Sequence, residues 1–255
     1  MNKKKQILLY ILLAIPLITL SQKDSLDLEK IRVQSGVDPT RINTKLAYSI
    51  WYYDRSDNRS LINNRIKFTA GIQKWGLSLK YEVATLNSGI AGEGFKTRGA
   101  DLELNITNTL YLKKKHAVAV GLGINLPTGA LGFGSQYFSI NPSMTYAYTI
   151  NPSLILATQP QYTFHIAKDN TFPDLSVLTI RTFIAKFQKS GWFYVFEPRI
   201  IHDFADDNFN LILSPIIGKS IGSGFNLGVV LEFPTKQETI DNRGILIQTG
   251  ITKNF

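Results

Sequence analysis

HAVAVGLGINLPTG, His116 to Gly129, alternates almost without exception. Val118, Val120, Leu122, Ile124 and Leu126 are bulky and apolar, while Ala119, Gly121, Gly123 and Asn125 between them are small or polar. Side chains on a strand point alternately to opposite faces. This stretch therefore predicts a strand with one face of hydrocarbon and one nearly bare face. Such a strand suits a wall with lipid on one side and a lumen on the other.

The same period of two recurs along the chain. It predicts strands at about 45–53, 64–74, 76–86, 99–112, 116–126, 136–149, 153–165, 174–188, 192–204, 208–221, 224–234 and 243–255. Phe225, Leu227, Val229, Leu231 and Phe233 oppose Asn226, Gly228, Val230 and Glu232, and Leu102, Leu104, Ile106 and Leu110 oppose Asp101, Glu103, Asn105, Thr107 and Thr109. Connections alternate between short turns, such as Lys74-Trp75 and Lys113 to Lys115, and longer loops, such as Pro127 to Ser135. Only Asp206-Asp207 departs from this. Short turns at one end and long loops at the other are the pattern of an all-β, antiparallel outer-membrane barrel, here with twelve strands. An even number places both termini at the short-turn, periplasmic end.

Aromatic residues fall near both sets of strand ends. Trp75, Tyr148, Trp192, Phe225 and Phe255 lie beside short turns or the C-terminus; Tyr52, Phe138, Phe164 and Phe233 lie beside long loops, as in the two aromatic girdles of such barrels. The few charges on apolar faces, Lys186, Lys219 and Lys253, lie near strand ends, from which a lysine snorkels to the interface.

The chain begins with Lys3, Lys4 and Lys5 and an apolar run from Ile7 to Leu20, too short for an ordinary spanning helix and suited to a signal peptide cleaved after Ser21. The expected organisation is a leader over 1–21, a polar segment over 22–44 that is a tail, a short periplasmic helix or a lumen plug, and a barrel over 45–255. No later run reaches the ~20 apolar residues of a membrane helix. The 28 lysines and arginines, less the leader's three, against 19 acidic residues leave a formal charge of +6, too mild and scattered for a nucleic-acid partner. With no cysteine, the exported chain has no disulfides.

Inner-face parity selects Lys67, Lys80, Glu82, Asp101, Glu103, Arg181, Glu197, Arg199 and Glu232 as lumen-lining residues. A two-residue turn at Lys74-Trp75 sets Lys67 opposite Glu82; Arg181 falls opposite Glu197 or Arg199. Opposite charges in pairs fit a polar lumen, lining a pore or closing it as a lattice. Pro142, Pro160, Pro198 and Pro215 all fall inside strands on the bulky face, where a missing ladder donor is unusual. Turn lengths of three and two residues set 142 opposite 160 and 198 opposite 215. The alternatives are bulges that bend the wall or a lateral opening for apolar solutes.

His116, His165 and His202 form no metal-binding doublet, and no GxSxG elbow occurs, so no catalytic residue, metal or cofactor is assigned. Gly121, Gly123 and Gly129 lack the following helix of a phosphate loop. An alternative function is a lipid-modifying hydrolase with His165 or His202 as base; another is a closed structural or surface-recognition barrel.

GLGINLPTG, Gly121 to Gly129, followed by SINPSMTYAYTINPSL, Ser139 to Leu154, resembles the outer-membrane channel proteins linked to the meta-cleavage pathway of phenol degradation. That resemblance implies transport of small, often apolar or aromatic solutes. The final strand, with Ile245, Ile247, Ile251 and Phe255 on one face, resembles the signal read by the barrel-assembly machinery of Gram-negative bacteria, although Lys253 departs from it. The expected partners are outer-membrane lipid, that machinery and a small-molecule solute.

Overall fold

In the computed structural model the described residues are 28–54, 59–89, 94–236 and 244–255. The expected leader lies outside them. Among them one short helix, α1 (Leu28–Ser35), precedes twelve strands: β1 (Lys45–Asp54), β2 (Ser60–Ile72), β3 (Trp75–Asn87), β4 (Phe95–Lys113), β5 (His116–Leu126), β6 (Tyr137–Asn151), β7 (Leu154–Lys168), β8 (Ser176–Phe187), β9 (Trp192–Asp203), β10 (Asn208–Gly222), β11 (Phe225–Lys236) and β12 (Leu246–Asn254). Each strand pairs antiparallel with its neighbours in sequence, and β1 pairs with β12 from Lys45↔Asn254 to Tyr53↔Leu246, which closes the barrel.

The outer surface is apolar over the height of the wall. Ile66, Phe68, Leu77, Leu79, Leu104, Ile106, Leu122, Leu156, Ile184, Leu227, Ile247 and Ile251 are all exposed. A soluble monomer rarely shows contiguous apolar surface on this scale, whereas a barrel wall in hydrocarbon requires it. At the short-turn end Trp75, Phe225 and Phe255 are exposed. There Lys219 Nζ lies 4.8 Å over the Trp192 ring, and Lys253 Nζ 4.3 Å over that of Phe225. The three lipid-side lysines thus stand near strand ends, two of them on girdle aromatics.

Turn geometry corrects the expected registers. The β2–β3 turn is Gln73-Lys74, not Lys74-Trp75: Trp75 already pairs with Ile72, and Gln73 takes a positive φ of 54°. The β9–β10 turn spans Phe204 to Asp207, four residues rather than two, with Asn208 paired to Asp203. Each change slides cross-strand partners by two positions. Pro215 therefore pairs with Phe196 and Pro198 with Leu213. In β6–β7, the register through Ser143↔Gln161 sets Pro142 level with Tyr162 and Pro160 level with Met144. Neither expected proline pair is directly opposed. Between Ile140↔Phe164 and Tyr146↔Thr158, Ser143↔Gln161 is the sole pairing of these two strands among the described residues. Both prolines keep partners on their other sides, Leu122 for Pro142 and Ile180 for Pro160, so the missing donors thin one ladder within a closed wall.

The inner face is not uniformly bare. Near the short turns of β7, β8 and β9, Ile155, Phe183, Phe187, Phe193 and Val195 point inward and are buried, alongside Ala117, Ala147, Ala157 and Ala185. Their partner is Ile31 of α1, 1% exposed, with Leu28 and Val37 against the same cluster. Gly218 is required here because the ring of Phe193 occupies the space a Cβ would take.

Leu122, exposed at mid-strand on the outer face, tests the solvent assignment. Leu122→Arg is expected to destabilise the barrel in lipid vesicles by about 2–4 kcal/mol, measured by urea titration with heat-modifiable gel mobility as the readout. The inward change Ser143→Arg is expected to cost less, since a guanidinium there reaches water.

Candidate functional site

Two ion networks line the lumen at mid-depth. On one wall, Arg65 of β2 pairs with Glu82 of β3, its Nη2 2.6 Å from Oε1 and its Nε donating at 2.7 Å. Lys80 Nζ lies 3.2 Å from Glu82 and also pairs with Glu103 of β4. Asn63 and Asn105 donate to the two carboxylates at 3.2 and 2.6 Å. The Arg65 guanidinium stacks 3.8 Å from the centre of the Trp51 ring. On the facing wall, Arg181 of β8 holds Glu197 of β9 through two bonds of 2.7 and 3.1 Å. Arg199 donates to Glu197 at 2.8 Å and reaches Glu232 of β11 at 3.1 Å. Ser214 of β10 lies directly across from Glu197, and its small side chain lets the network pass over that strand.

These contacts bring together seven of the nine residues selected by parity, but not as paired in advance. Lys67 stands opposite Lys80, and Glu82 opposite Arg65, because of the displaced turn. Arg65 and Trp51 were missed, although both obey the same parity and were legible from it. Arg181 is level with Arg199, yet bonds the diagonal Glu197. Lys67 and Asp101 stand outside both networks. Asp101 lies beside a register shift between Tyr81 and Val83 and is met by the loop after β5. It accepts bonds from Asn125 Nδ2 at 3.1 Å, Gly129 N at 3.1 Å, Ser135 N at 2.6 Å and Ser135 Oγ at 2.6 Å. Its carboxylate anchors that loop instead of standing free toward a solute.

The histidines do not gather into a catalytic group. His165 faces inward near the long loops, accepting from Leu175 N at 3.2 Å and lying 3.6 Å from Asp174. His202 lies on the outer face at the same end, 3.8 Å from Asp207, with its ring edge-on to Phe204. His116 bonds Tyr146 at 2.7 Å beside a short turn. Among the described residues, no serine hydroxyl hydrogen-bonds any of these rings.

Residues 28–44 occupy the short-turn end of the lumen. Arg32 pairs with Asp38 at 2.5 Å with both side chains buried, and its Nη1 donates to Thr149 of the wall at 2.7 Å. Asp38 also accepts from the amide and hydroxyl of Thr40, at 3.0 and 2.6 Å. Thr109 donates to Thr40 O at 2.8 Å, and Asn226 and Asn254 donate to Gln34 O at 2.8 and 3.0 Å. Gly36, with φ of 68°, ends the helix in the left-handed conformation and starts the crossing strap. Gly71 makes room for that strap: a Cβ on it would lie 2.8 Å from the Asn43 carbonyl carbon.

Above the strap lies a cavity of about 350 Å³, lined among others by Lys45, Lys67, Thr69, Asn141, Gln159 and Arg181. A second space of about 260 Å³ adjoins Arg181, Phe183, Glu197 and Gln248. The described residues contain no group of three or more metal-ligating side chains.

No protein-family model matches the chain, and no curated protein sequence does. Solved structures do. An outer membrane channel from Pseudomonas putida F1 aligns with a TM-score of 0.69 at 10% identity, over 84% of this chain and 96% of that one. NanC porin aligns at 0.62 and 12% identity, over 82% and 98%. KdgM porin aligns at 0.60 and 10%, over 83% and 99%. At such identities the likeness is one of fold: this chain has the closed antiparallel barrel of outer-membrane channels.

Two substitutions probe the lumen. Glu197→Gln leaves Arg181 and Arg199 without their shared charge. A dry interior would lose about 3–5 kcal/mol on breaking such a network. Arg181 is 33% exposed, so a loss of about 2 kcal/mol in urea titration is expected. Gly71→Val is expected to expel the strap and make Arg32 and Arg41 cleavable by trypsin in the folded barrel, as seen by gel and mass spectrometry.

Proposed function

We propose that the chain is an outer-membrane channel for small hydrophilic solutes, held closed at its periplasmic mouth by residues 28–44. The observation that carries this reading is the lumen itself. Its mid-depth walls bear Arg65, Lys80, Glu82, Glu103, Arg181, Glu197, Arg199 and Glu232 around open space. Charges in that position are stable when water reaches them. The likeness to an outer membrane channel and to two porins supports the same class. The wall networks then act as a size and field filter, and withdrawal of the strap opens the way through.

The resemblance to phenol-pathway channels implies aromatic or apolar cargo. The lining of the larger cavity, rich in lysine, arginine, amides and hydroxyls, favours hydrophilic cargo instead. In this reading the leader over 1–21 is cleaved on export, and the exposed terminal Phe255 serves recognition by the assembly machinery.

Planar-bilayer recording tests the channel. Mature protein from residue 22 is expected to show infrequent or small conductance steps, and a form lacking 22–44 larger and more frequent ones. Silence from both folded forms would sink the channel and favour a closed structural barrel.

A further inference from the structure

Lys45 and Lys67 stand apart from every other lumen charge. Arg65, Lys80, Arg181 and Arg199 each lie within salt-bridge distance of a carboxylate. Among the described residues no carboxylate comes within 4.0 Å of the Nζ of Lys45 or Lys67. Both lysines belong to inner-face positions of adjacent strands: Lys45 pairs with Thr69 and Ala47 with Lys67. Lys67 also stands directly opposite Lys80, a like-charge cross-strand pair, which is destabilising by itself. Lys80 escapes by turning to Glu82 and Glu103; Lys67 has no such outlet.

Both lysines line the larger cavity. Lys45 Nζ lies against Gly36 of the strap, 2.8 Å from where a Cβ would stand. Thr69 Oγ1, in the same cavity, is buried without a hydrogen-bond partner, and so is Asn141 Oδ1, an amide that can turn its NH2 inward. The acidic residues of the lining are already engaged, Asp38 by Arg32 and Thr40, and Glu103 by Lys80 and Asn105. What remains is a set of cationic groups and unpartnered neutral polar groups around one space, with no carboxylate in salt-bridge contact with either lysine.

We propose that this cavity is a binding site for a small oxyanion, a carboxylate or a phosphate, held by Lys45, Lys67 and Thr69 above the strap. The bound anion pairs with the two ammonium groups that the wall leaves without a carboxylate in contact. This deepens the channel reading by naming the class of solute, and its test does not depend on conduction.

Calorimetric titration of the mature barrel, folded in a non-ionic detergent, with inorganic phosphate and separately with acetate measures the site directly. Saturable binding that weakens with added salt is expected, and the stronger of the two probes identifies the preferred oxyanion. Lys45→Met and Lys67→Met are each expected to weaken it about tenfold or more. Lys67→Arg keeps most of the binding, and Lys74→Met, at an exposed turn, leaves it unchanged. Heat-modifiable mobility verifies that each variant is folded, and Lys67→Gln replaces any Met variant that is not. Absence of saturable binding to the folded wild type overturns the site, as does equal binding by the Lys45 and Lys67 variants. A barrel that conducts but binds neither anion keeps the channel and loses the anion site.

Discussion

A backbone placed in hydrocarbon has no water to satisfy its N–H and C=O groups, so every one needs a partner inside the protein. The β1–β12 ladder meets this demand by leaving no edge strand. Closure then fixes much else. It makes one face of each strand a lipid face, so side chains such as Leu79, Ile106 and Leu227 stand exposed without loss. It also commits the other face to a confined interior, where charge and volume have to be balanced locally.

The balance is struck differently at different depths. At mid-depth, ion networks span three strands on one wall and four on the other, with Asn63, Asn105 and Ser214 filling the gaps. At the short-turn end the interior is apolar, with Phe183, Phe187 and Phe193 around Ile31. A charged middle and an apolar seat give the strap a defined stopping depth. Its hydrocarbon anchor belongs with the rings near the turns, while its polar ties meet Thr149, Thr109, Asn226 and Asn254.

Period-two parity made the barrel legible, because a strand's two faces are distinguished without knowledge of its neighbours. The strand from His116 to Leu126 was placed to the residue. Partnerships were less legible, because each depends on turn length. Gln73 adopts a positive φ without an Asn-Gly or Asp-Gly signal, and the resulting slip moved Glu82 from Lys67 to Arg65. Asp101 is taken up by the loop after β5, beside a register shift that alternation cannot show. The helix of 28–35 is short and polar, with little periodicity to betray it. Its trace lay elsewhere, in bulky residues at inward positions, Ile155, Phe183, Phe193 and Val195, interleaved with alanines. Hydrocarbon on a lumen face asks for an apolar occupant, and Ile31 of the helix is that occupant.

The strap's hold also bears on whether its position is reversible. Burying Ile31 fully yields about 2–3 kcal/mol. Ordering each residue of backbone costs about 1–2 kcal/mol, so one isoleucine cannot hold a segment running from Leu28 to Thr44. The remainder has to come from the polar ties and from the buried Arg32–Asp38 pair, whose net worth is modest once desolvation is counted. An anion above the strap would add to that side, since Lys45 lies against Gly36 and its charge is less costly when neutralised. Closure and solute binding are then linked: a ligand that prefers the strapped state tightens it, and the strapped state by the same measure binds that ligand better.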